Sequence, residues 1–228
     1  MKIIIINGSP RLKGSTARIL TVMGDRLRAK GDVEVVFRHL SELGAAFCKG
    51  CCSCFQTGKC SMDDDLEKLS NEITEADGII IGSPTYASNI SGQLKTFVDR
   101  GHLIIEQALH EKYAIGVITS ENYGGSAAAK ILKNIFSYSG ASVSALLKHK
   151  LPFSNAVALS DASVARLEKC AERLYRDIEK KRVYVCQKLW HGMIFNFGIK
   201  SFVKRKGEAY RGVAARWKSK GIPMNTGT

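Results

Sequence analysis

The chain has 228 residues, of which 45% are hydrophobic and 24% charged, and its formal net charge is +13. This composition excludes a disordered chain and is sufficient for the core of one α/β domain. The apolar run at residues 3–6 is too short for a signal peptide, and no stretch approaches the roughly 20 apolar residues of a membrane span. We therefore expect a cytoplasmic protein.

Most of the excess charge lies at the end of the chain. Residues 181–228 contain eleven Lys or Arg residues and one acid, Glu208. Such a tail either meets phosphates, anionic lipid or an acidic protein, or forms a solvated, solubilising surface.

In chain order, short apolar runs alternate with helical patterns. The runs predict strands at 2–7, 33–37, 78–82, 113–119 and 142–147. The patterns predict helices at 15–30, 63–76, 91–109, 126–138 and around 164–178. This alternation predicts a doubly wound parallel sheet with right-handed crossovers. The pattern changes after residue 181, so we expect a domain at 1–182 and a basic, aromatic-containing extension at 183–228.

The loop after the first strand combines short polar side chains, glycines and positive charge. In open α/β sheets, ligands bind beyond the carboxyl ends of the strands. A loop that runs into a helix there offers backbone amides to an anion. It is not a P-loop, because Ser15 stands where the lysine belongs, and the chain has no Gly-x-Gly for a dinucleotide fold. We predict that this loop is a phosphate site; the alternative is an ordinary capped helix. The residues of the predicted phosphate site are Ser9, Pro10, Arg11, Gly14, Ser15 and Thr16.

Two further strand ends carry an aromatic residue among small polar ones, which suits a flat heteroaromatic ring. After the third strand these residues are Pro84, Thr85, Tyr86, Ala87, Ser88 and Asn89. After the fourth strand they are Ser120, Tyr123, Gly124 and Gly125.

Five of the seven cysteines lie within residues 48–60. Cys48, Cys51, Cys54 and Cys60 have the spacing C-x2-C-x2-C-x5-C, and Cys52 is an additional thiol. Three interpretations stay open: an iron–sulfur cluster, metal-free thiols, or a structural zinc ion. Cys170 and Cys186 are expected to be packing residues. The five histidines show no metal-ligand spacing and are expected to be surface or packing residues.

These motifs together resemble the flavodoxin-like NAD(P)H-dependent FMN reductases, and among them the iron–sulfur flavoprotein branch. The resemblance covers roughly residues 1–150. It is carried by Gly8-Ser9-Pro10-Arg11, Gly14-Ser15-Thr16, the cysteine segment 48–60, Gly82-Ser83-Pro84-x-Tyr86 and the stretch 91–100.

The resemblance implies a five-stranded sheet of order 2-1-3-4-5 that binds FMN non-covalently. The phosphate would lie on Ser9, Arg11, Ser15 and Thr16, and the ring against 84–89 and 120–125. Electrons would pass from NAD(P)H to a small acceptor or a ferredoxin-like carrier, and Cys48, Cys51, Cys54 and Cys60 would hold a [4Fe–4S] cluster. It also implies a homodimer or homotetramer with 91–100 as a contact helix. No catalytic side chain is expected, because flavin N5 carries the chemistry.

Two other functions compete with this hypothesis. One is an electron carrier fed by ferredoxin without its own NAD(P)H activity. The other, the weakest, is a phosphate- or nucleic-acid-binding module driven by the basic tail, so we expect no nucleic-acid partner. In the extension, four aromatic residues could meet a membrane surface, but we favour burial against the domain or a neighbouring subunit. They are Trp190, Phe195, Phe197 and Phe202.

Overall fold

A computed structural model of the protein describes residues 1–152 and 158–224. Five strands, all paired in parallel, form one sheet in the order β2-β1-β3-β4-β5. They are β1 (Lys2–Asn7), β2 (Glu34–His39), β3 (Gly78–Pro84), β4 (Tyr113–Ser120) and β5 (Ser142–Lys150). The chain reverses its winding direction beside β1, where open α/β sheets form their ligand clefts. The predicted fold and strand order are confirmed.

Five helices cover both faces of this sheet: α1 (Ser15–Arg28), α3 (Asp65–Glu75), α4 (Gly92–Arg100), α5 (Gly125–Tyr138) and α6 (Asp161–Glu179). The short helix α2 (Ser53–Thr57) lies away from the sheet and contacts the C-terminal extension. The four isoleucines of β1 are fully buried, and alternate side chains of a strand point to opposite faces. Ile4 and Ile6 belong to the apolar cluster of α3, α4 and α5. Ile3 and Ile5 belong to the cluster of α1 and α6. The uninterrupted apolar run of β1 therefore reflects burial on both sides.

The helix predicted at 91–109 ends at Arg100. Gly101 packs so closely that a Cβ there would lie 2.8 Å from the Phe97 carbonyl oxygen, and His102 has a φ of 47°. Turns continue from here to β4, but Leu103 and Leu109 stay buried in them. The apolar residues keep their helical spacing beyond Arg100, so the sequence pattern does not show that the helix ends there.

The described part of the extension is helical and folds onto the domain. It contains α7 (Val185–Met193), a π-helix (Ile194–Lys200), α8 (Ser201–Lys206), a 3₁₀ helix (Gly207–Tyr210) and α9 (Arg211–Ser219). Phe195 is buried against Trp217, and Phe202 meets the ring of Tyr210 edge-on. Trp190 and Phe197 are instead 51% and 83% exposed in the single chain, so for these two, burial against a neighbouring subunit stays a prediction.

The final residues of the predicted extension, 225–228, lie outside the described residues. No helix in the described part of the chain is both long and apolar enough to cross a bilayer.

Candidate functional site

The loop between β1 and α1 is held by short side chains. The Ser9 amide donates to Asn7 Oδ1 (3.1 Å), and the Arg11 amide donates to the Ser9 hydroxyl (3.1 Å). α1 begins after Gly14, which has no side chain to cap the first amides. In α3, α4 and α6, by contrast, a capping side chain accepts one of these amides; the caps are Asp64, Ser91 and Ser160. The start of α1 thus leaves its first backbone amides without a side-chain cap, unlike the ordinary capped helix of the alternative, and such helix starts attract anions.

Three loops and the end of β5 enclose one cleft of about 350 Å³ around this helix start. The hydroxyls of Thr16 and Thr119 are 2.7 Å apart and buried, so they tie α1 to the end of β4. The residues that line the cleft are Ser9, Arg11, Gly14, Ser15, Thr16, Pro84, Tyr86, Thr119, Ser120, Leu151 and Pro152.

The loops after β3 and β4 touch each other at the rim of this cleft. Gly124 has a φ of 82°, and a Cβ there would lie 2.7 Å from Ser88 Cα, so no larger residue fits without a shift. Tyr86 and Tyr123 are 39% and 77% exposed. Two aromatic side chains are thus accessible on adjacent loops, which suits a planar ligand.

Thr85 supplies a buried polar atom beside the same cleft. Its amide donates to the Thr119 carbonyl (2.8 Å), and its neighbours Pro84 and Tyr86 both line the cleft. Its side-chain hydroxyl is buried and has no hydrogen-bond partner among the described residues. A buried hydroxyl without a partner costs about 1–3 kcal/mol, so a bound ligand that pairs with it would remove this cost. The open helix start, the exposed tyrosines and this hydroxyl fit the phosphate and ring of FMN.

Eight of the sixteen residues predicted to bind the cofactor line the cleft; they are Ser9, Arg11, Gly14, Ser15, Thr16, Pro84, Tyr86 and Ser120. The other eight lie beside it in the same three loops; they are Pro10, Thr85, Ala87, Ser88, Asn89, Tyr123, Gly124 and Gly125. Thr119, Leu151 and Pro152 also line the cleft, although no sequence motif predicted them. Thr119 and Leu151 stand at the carboxyl ends of β4 and β5, and that position alone could have identified them.

The five clustered cysteines line a second cavity of about 310 Å³, which has no lining residue in common with the cleft. Cys54 and Cys60 are partly buried and the other three are exposed. Arg100 and His102 also line this cavity.

The two remaining cysteines lie elsewhere. Cys170 packs against the apolar cluster of α1 and α6, as expected. Cys186 is exposed on α7, so its expected packing role is wrong.

Arg100 places a buried positive charge beside the cysteines. Its Nη2 is 3.3 Å from Cys60 Sγ, its Nη1 donates to the Ala46 carbonyl (2.9 Å), and both Nη atoms pair with Asp64. Its Nε is buried without a hydrogen-bond partner among the described residues. Burial acts to raise the pKa of Asp64, but hydrogen bonds from Arg100 and from the Leu66 amide outweigh it and hold that pKa below its ordinary value. The guanidinium is thus fixed next to a sulfur, where it favours negative charge.

His102 adds a second positive group. Burial acts to lower the pKa of His102, but hydrogen bonds to Cys54 and Glu106 outweigh it and raise the pKa to about 10. A hydrogen bond with Ser61 (3.2 Å) lowers the pKa of Cys51 from its ordinary value. His102 is therefore more than a packing residue, because its Nδ1 lies 3.1 Å from Glu106 Oε1 and its side chain lines the cysteine cavity.

The cysteines surround a cavity rather than one point. Within residues 1–152 and 158–224, no three His, Cys, Asp or Glu side chains are gathered to hold a single metal ion. Both a structural zinc ion and a [4Fe–4S] cluster are commonly held by four cysteine thiolates. Four thiols around a cavity, with two cations to offset negative charge, fit the donor chemistry of a cluster.

A family model and individual relatives assign this chain to the same family. The family described as NADPH-dependent FMN reductase matches residues 1–150. An iron–sulfur flavoprotein of Clostridioides difficile (strain 630) is 35% identical over 225 residues, which cover 97% of this chain and 100% of that protein. An iron–sulfur flavoprotein of Methanocaldococcus jannaschii is 36% identical over 139 residues, 60% of this chain and 72% of that protein.

Solved structures share the fold at lower identity. An NADH:FMN oxidoreductase in its apo form has a TM-score of 0.57 at 21% identity, over 76% of this chain and 89% of that one. A flavodoxin from the domain Archaea has a TM-score of 0.54 at 14% identity, over 78% of this chain and 99% of that one. The chain therefore belongs to the NADPH-dependent FMN reductase family, within its iron–sulfur flavoprotein branch, and is an FMN-dependent oxidoreductase of flavodoxin-like fold.

Proposed function

We propose that this chain takes electrons from NAD(P)H at FMN bound in the strand-end cleft and delivers them to a small acceptor or a redox carrier. The observation that carries the proposal is the convergence of three strand-end loops on one cleft at the open start of α1. The phosphate is assigned to Ser9, Arg11, Ser15 and Thr16, and the ring to residues 84–89 and 120–125.

Each part of the cleft has a separate task. The first amides of α1 meet the phosphate, and Arg11 adds positive charge beside them. The Thr16–Thr119 hydrogen bond keeps the phosphate end at a constant position relative to β4. Tyr86 and Tyr123, which are accessible on the two adjacent loops, are assigned to the ring of FMN. When bound, FMN supplies the hydride-accepting position, so no side chain has to act as an acid or base.

The second part of the proposal assigns a [4Fe–4S] cluster to Cys48, Cys51, Cys54 and Cys60. Such a cluster would supply one-electron transfer. Arg100 and His102 offset the negative charge of four thiolates in a partly buried cavity. The zinc and metal-free alternatives predict a protein without iron, sulfide or cluster absorbance.

Anaerobic purification with an absorption spectrum and iron and sulfide assays tests both assignments. We expect FMN and about four irons per chain. Cys51→Ser and Cys60→Ser should lose the iron, while Cys186→Ser, a matched exposed cysteine outside the cavity, should keep it. A colourless protein that binds no added FMN would refute the cleft assignment. Bound flavin without iron in freshly purified and reconstituted protein would refute the cluster.

Stopped-flow mixing with NADH and with NADPH tests the electron source. The main alternative is an electron carrier that receives single electrons from a ferredoxin-like donor and has no NAD(P)H activity. It is favoured by the net charge of +13, which would steer an acidic carrier toward the protein. Flavin that stays oxidised with both nucleotides but is reduced by reduced ferredoxin would establish this alternative. Assembly as a homodimer or homotetramer is a further prediction, which analytical ultracentrifugation tests.

A further inference from the structure

We propose that α9 is a structural part of the cysteine site, because it clamps the turn that carries Cys54 and leads to Cys60. The clamp consists of Gly212 and Arg216 of α9 together with Tyr210, which ends the preceding 3₁₀ helix, and the clamped turn is residues 53–58. The link to a cluster rests on the function proposed above, but the clamp itself can be tested on metal-free protein.

Among the described residues, the domain contacts this turn and its flank through side chains, with His102 beside Phe55 and Arg100 beside Cys60. The clamped turn contains the five-residue helix α2, which buries none of its own residues and lies between two left-handed positions, Cys52 (φ 59°) and Gly58 (φ 77°). Residues 44–52, which precede it, have no regular secondary structure. The domain positions Cys60 through Arg100 of α4, whereas α2 and the segment before it depend on contacts with the extension.

Backbone packing between Gly212 and Gly58 brings α9 into direct contact with this turn. A Cβ at Gly212 would lie 2.2 Å from the Gly58 nitrogen and 2.8 Å from the Thr57 carbonyl carbon. These are backbone atoms, so they cannot move aside as the end of a flexible side chain could. Any residue larger than glycine at 212 must push the turn and α9 apart.

Arg216, one turn further along α9, ties the same turn by hydrogen bonds. Its Nε and Nη2 donate to the Gly58 carbonyl at 3.1 Å and 2.8 Å. Its Nη2 also lies 3.3 Å from Glu67 Oε1, at the start of α3, and its Nε is 3.8 Å from Glu106 Oε2. One guanidinium thus joins the turn to two elements of the domain.

The apolar side of the contact anchors the clamp. The rings of Phe55 and Tyr210 stack with centroids 4.6 Å apart. Trp217 is fully buried, and its Nε1 donates to the Ile105 carbonyl (2.9 Å). Phe55 therefore belongs to the apolar cluster of the extension, outside the two clusters that flank the sheet. Binding of a cluster and docking of α9 consequently favour each other, because both order the same turn, and such coupling is reciprocal.

The first experiment measures the rate of cysteine labelling by a maleimide in metal-free, FMN-loaded protein, resolved for Cys54 and Cys60 by mass spectrometry. Gly212→Ala and Arg216→Ala should label roughly 10- to 100-fold faster than the unmodified chain, which is the range for losing charged hydrogen bonds that close a segment. Arg216→Lys should restore part of the protection. Equal rates in all variants would overturn the clamp.

The second experiment measures iron and sulfide retained after anaerobic reconstitution and exposure to a chelator. Gly212→Ala and Arg216→Ala should lose iron faster, and the loaded chain should resist trypsin cleavage in α9 better than the metal-free chain. Retention equal to that of the unmodified chain would overturn the link to the cluster. If the unmodified chain takes up no iron, the proposed cluster fails, while the labelling rates still decide the clamp.

Matched controls separate positioning from general destabilisation. A Cβ at Gly192 in α7 would meet nothing within 4 Å, and Lys218 is an exposed cation on α9. Gly192→Ala and Lys218→Ala should therefore leave labelling and iron unchanged. FMN content should stay unchanged in all variants, because the cleft shares no lining residue with the cysteine cavity. Loss of FMN together with iron would mean that the substitutions unfold the domain, which would refute a local clamp.

Discussion

Replacing Thr85 by valine should affect stability and cofactor binding in opposite directions. The Thr85 hydroxyl is buried without a partner among the described residues. Valine has nearly the same shape and removes the unpaired group, so the free energy of unfolding of the FMN-free protein should rise by about 1–3 kcal/mol. For a chain of this size, each kcal/mol corresponds to a rise in Tm of about 2–4 °C.

The same substitution should weaken FMN binding if FMN is the missing partner. Loss of one net hydrogen bond of about 0.5–1.5 kcal/mol raises Kd about 2- to 13-fold. Thermal unfolding of the FMN-free protein and a flavin fluorescence titration measure the two effects separately.

Ser144→Ala is the matched control, because Ser144 Oγ on β5 is also buried without a partner among the described residues and lies outside the cleft. It should raise the Tm of the FMN-free protein and leave the FMN Kd unchanged. If Thr85→Val lowers the Tm and does not alter the Kd, the hydroxyl already has a partner and is no part of the cofactor site.

Three further substitutions test other contacts. Gly124→Ala places a Cβ against Ser88 and puts alanine in a left-handed conformation that costs about 1–2 kcal/mol. FMN titration should therefore show a higher Kd, whereas an unchanged Kd would mean that the loops after β3 and β4 separate freely. Arg100→Met removes the ion-pair partner of the partly buried Asp64, which keeps the Leu66 amide as a donor, and should lower the free energy of unfolding in urea by about 1–3 kcal/mol. Adding Asp64→Asn should recover much of this loss. Because the pKa of Asp64 is lowered in the folded state, the stabilisation from the Arg100–Asp64 pair is fully present above pH about 3.9 and is lost as the pH falls through the folded-state pKa. An Arg100→Met variant that keeps this acid dependence would show that Arg100 is not what lowers the pKa of Asp64. Trp217→Ala should lower stability by about 3–5 kcal/mol and expose α9 to trypsin, and unchanged digestion would show that another contact holds the extension.

The local chemistry of the sequence was enough to predict the sheet and the position of the cleft. An apolar run without alternation, such as residues 3–6, is compatible with burial on both faces, and that requires helices on both sides of a parallel sheet. Parallel strands place their carboxyl ends at one edge, so the loops after residues 7, 84 and 120 had to meet there. The spacing of the four cysteines likewise limited their chemistry without deciding among cluster, zinc and free thiols.

Contacts between residues far apart in the chain were decided by the tertiary structure alone. Helical periodicity continues past Gly101, so only the packing against Phe97 reveals the break that brings Arg100 and His102 to the cysteines. Arg216 reaches Gly58 across 158 positions of the chain, and no local pattern encodes such a contact. Secondary structure follows from neighbours in sequence, whereas the charge and support around a cofactor depend on how separate elements pack, and that is a property of the whole fold.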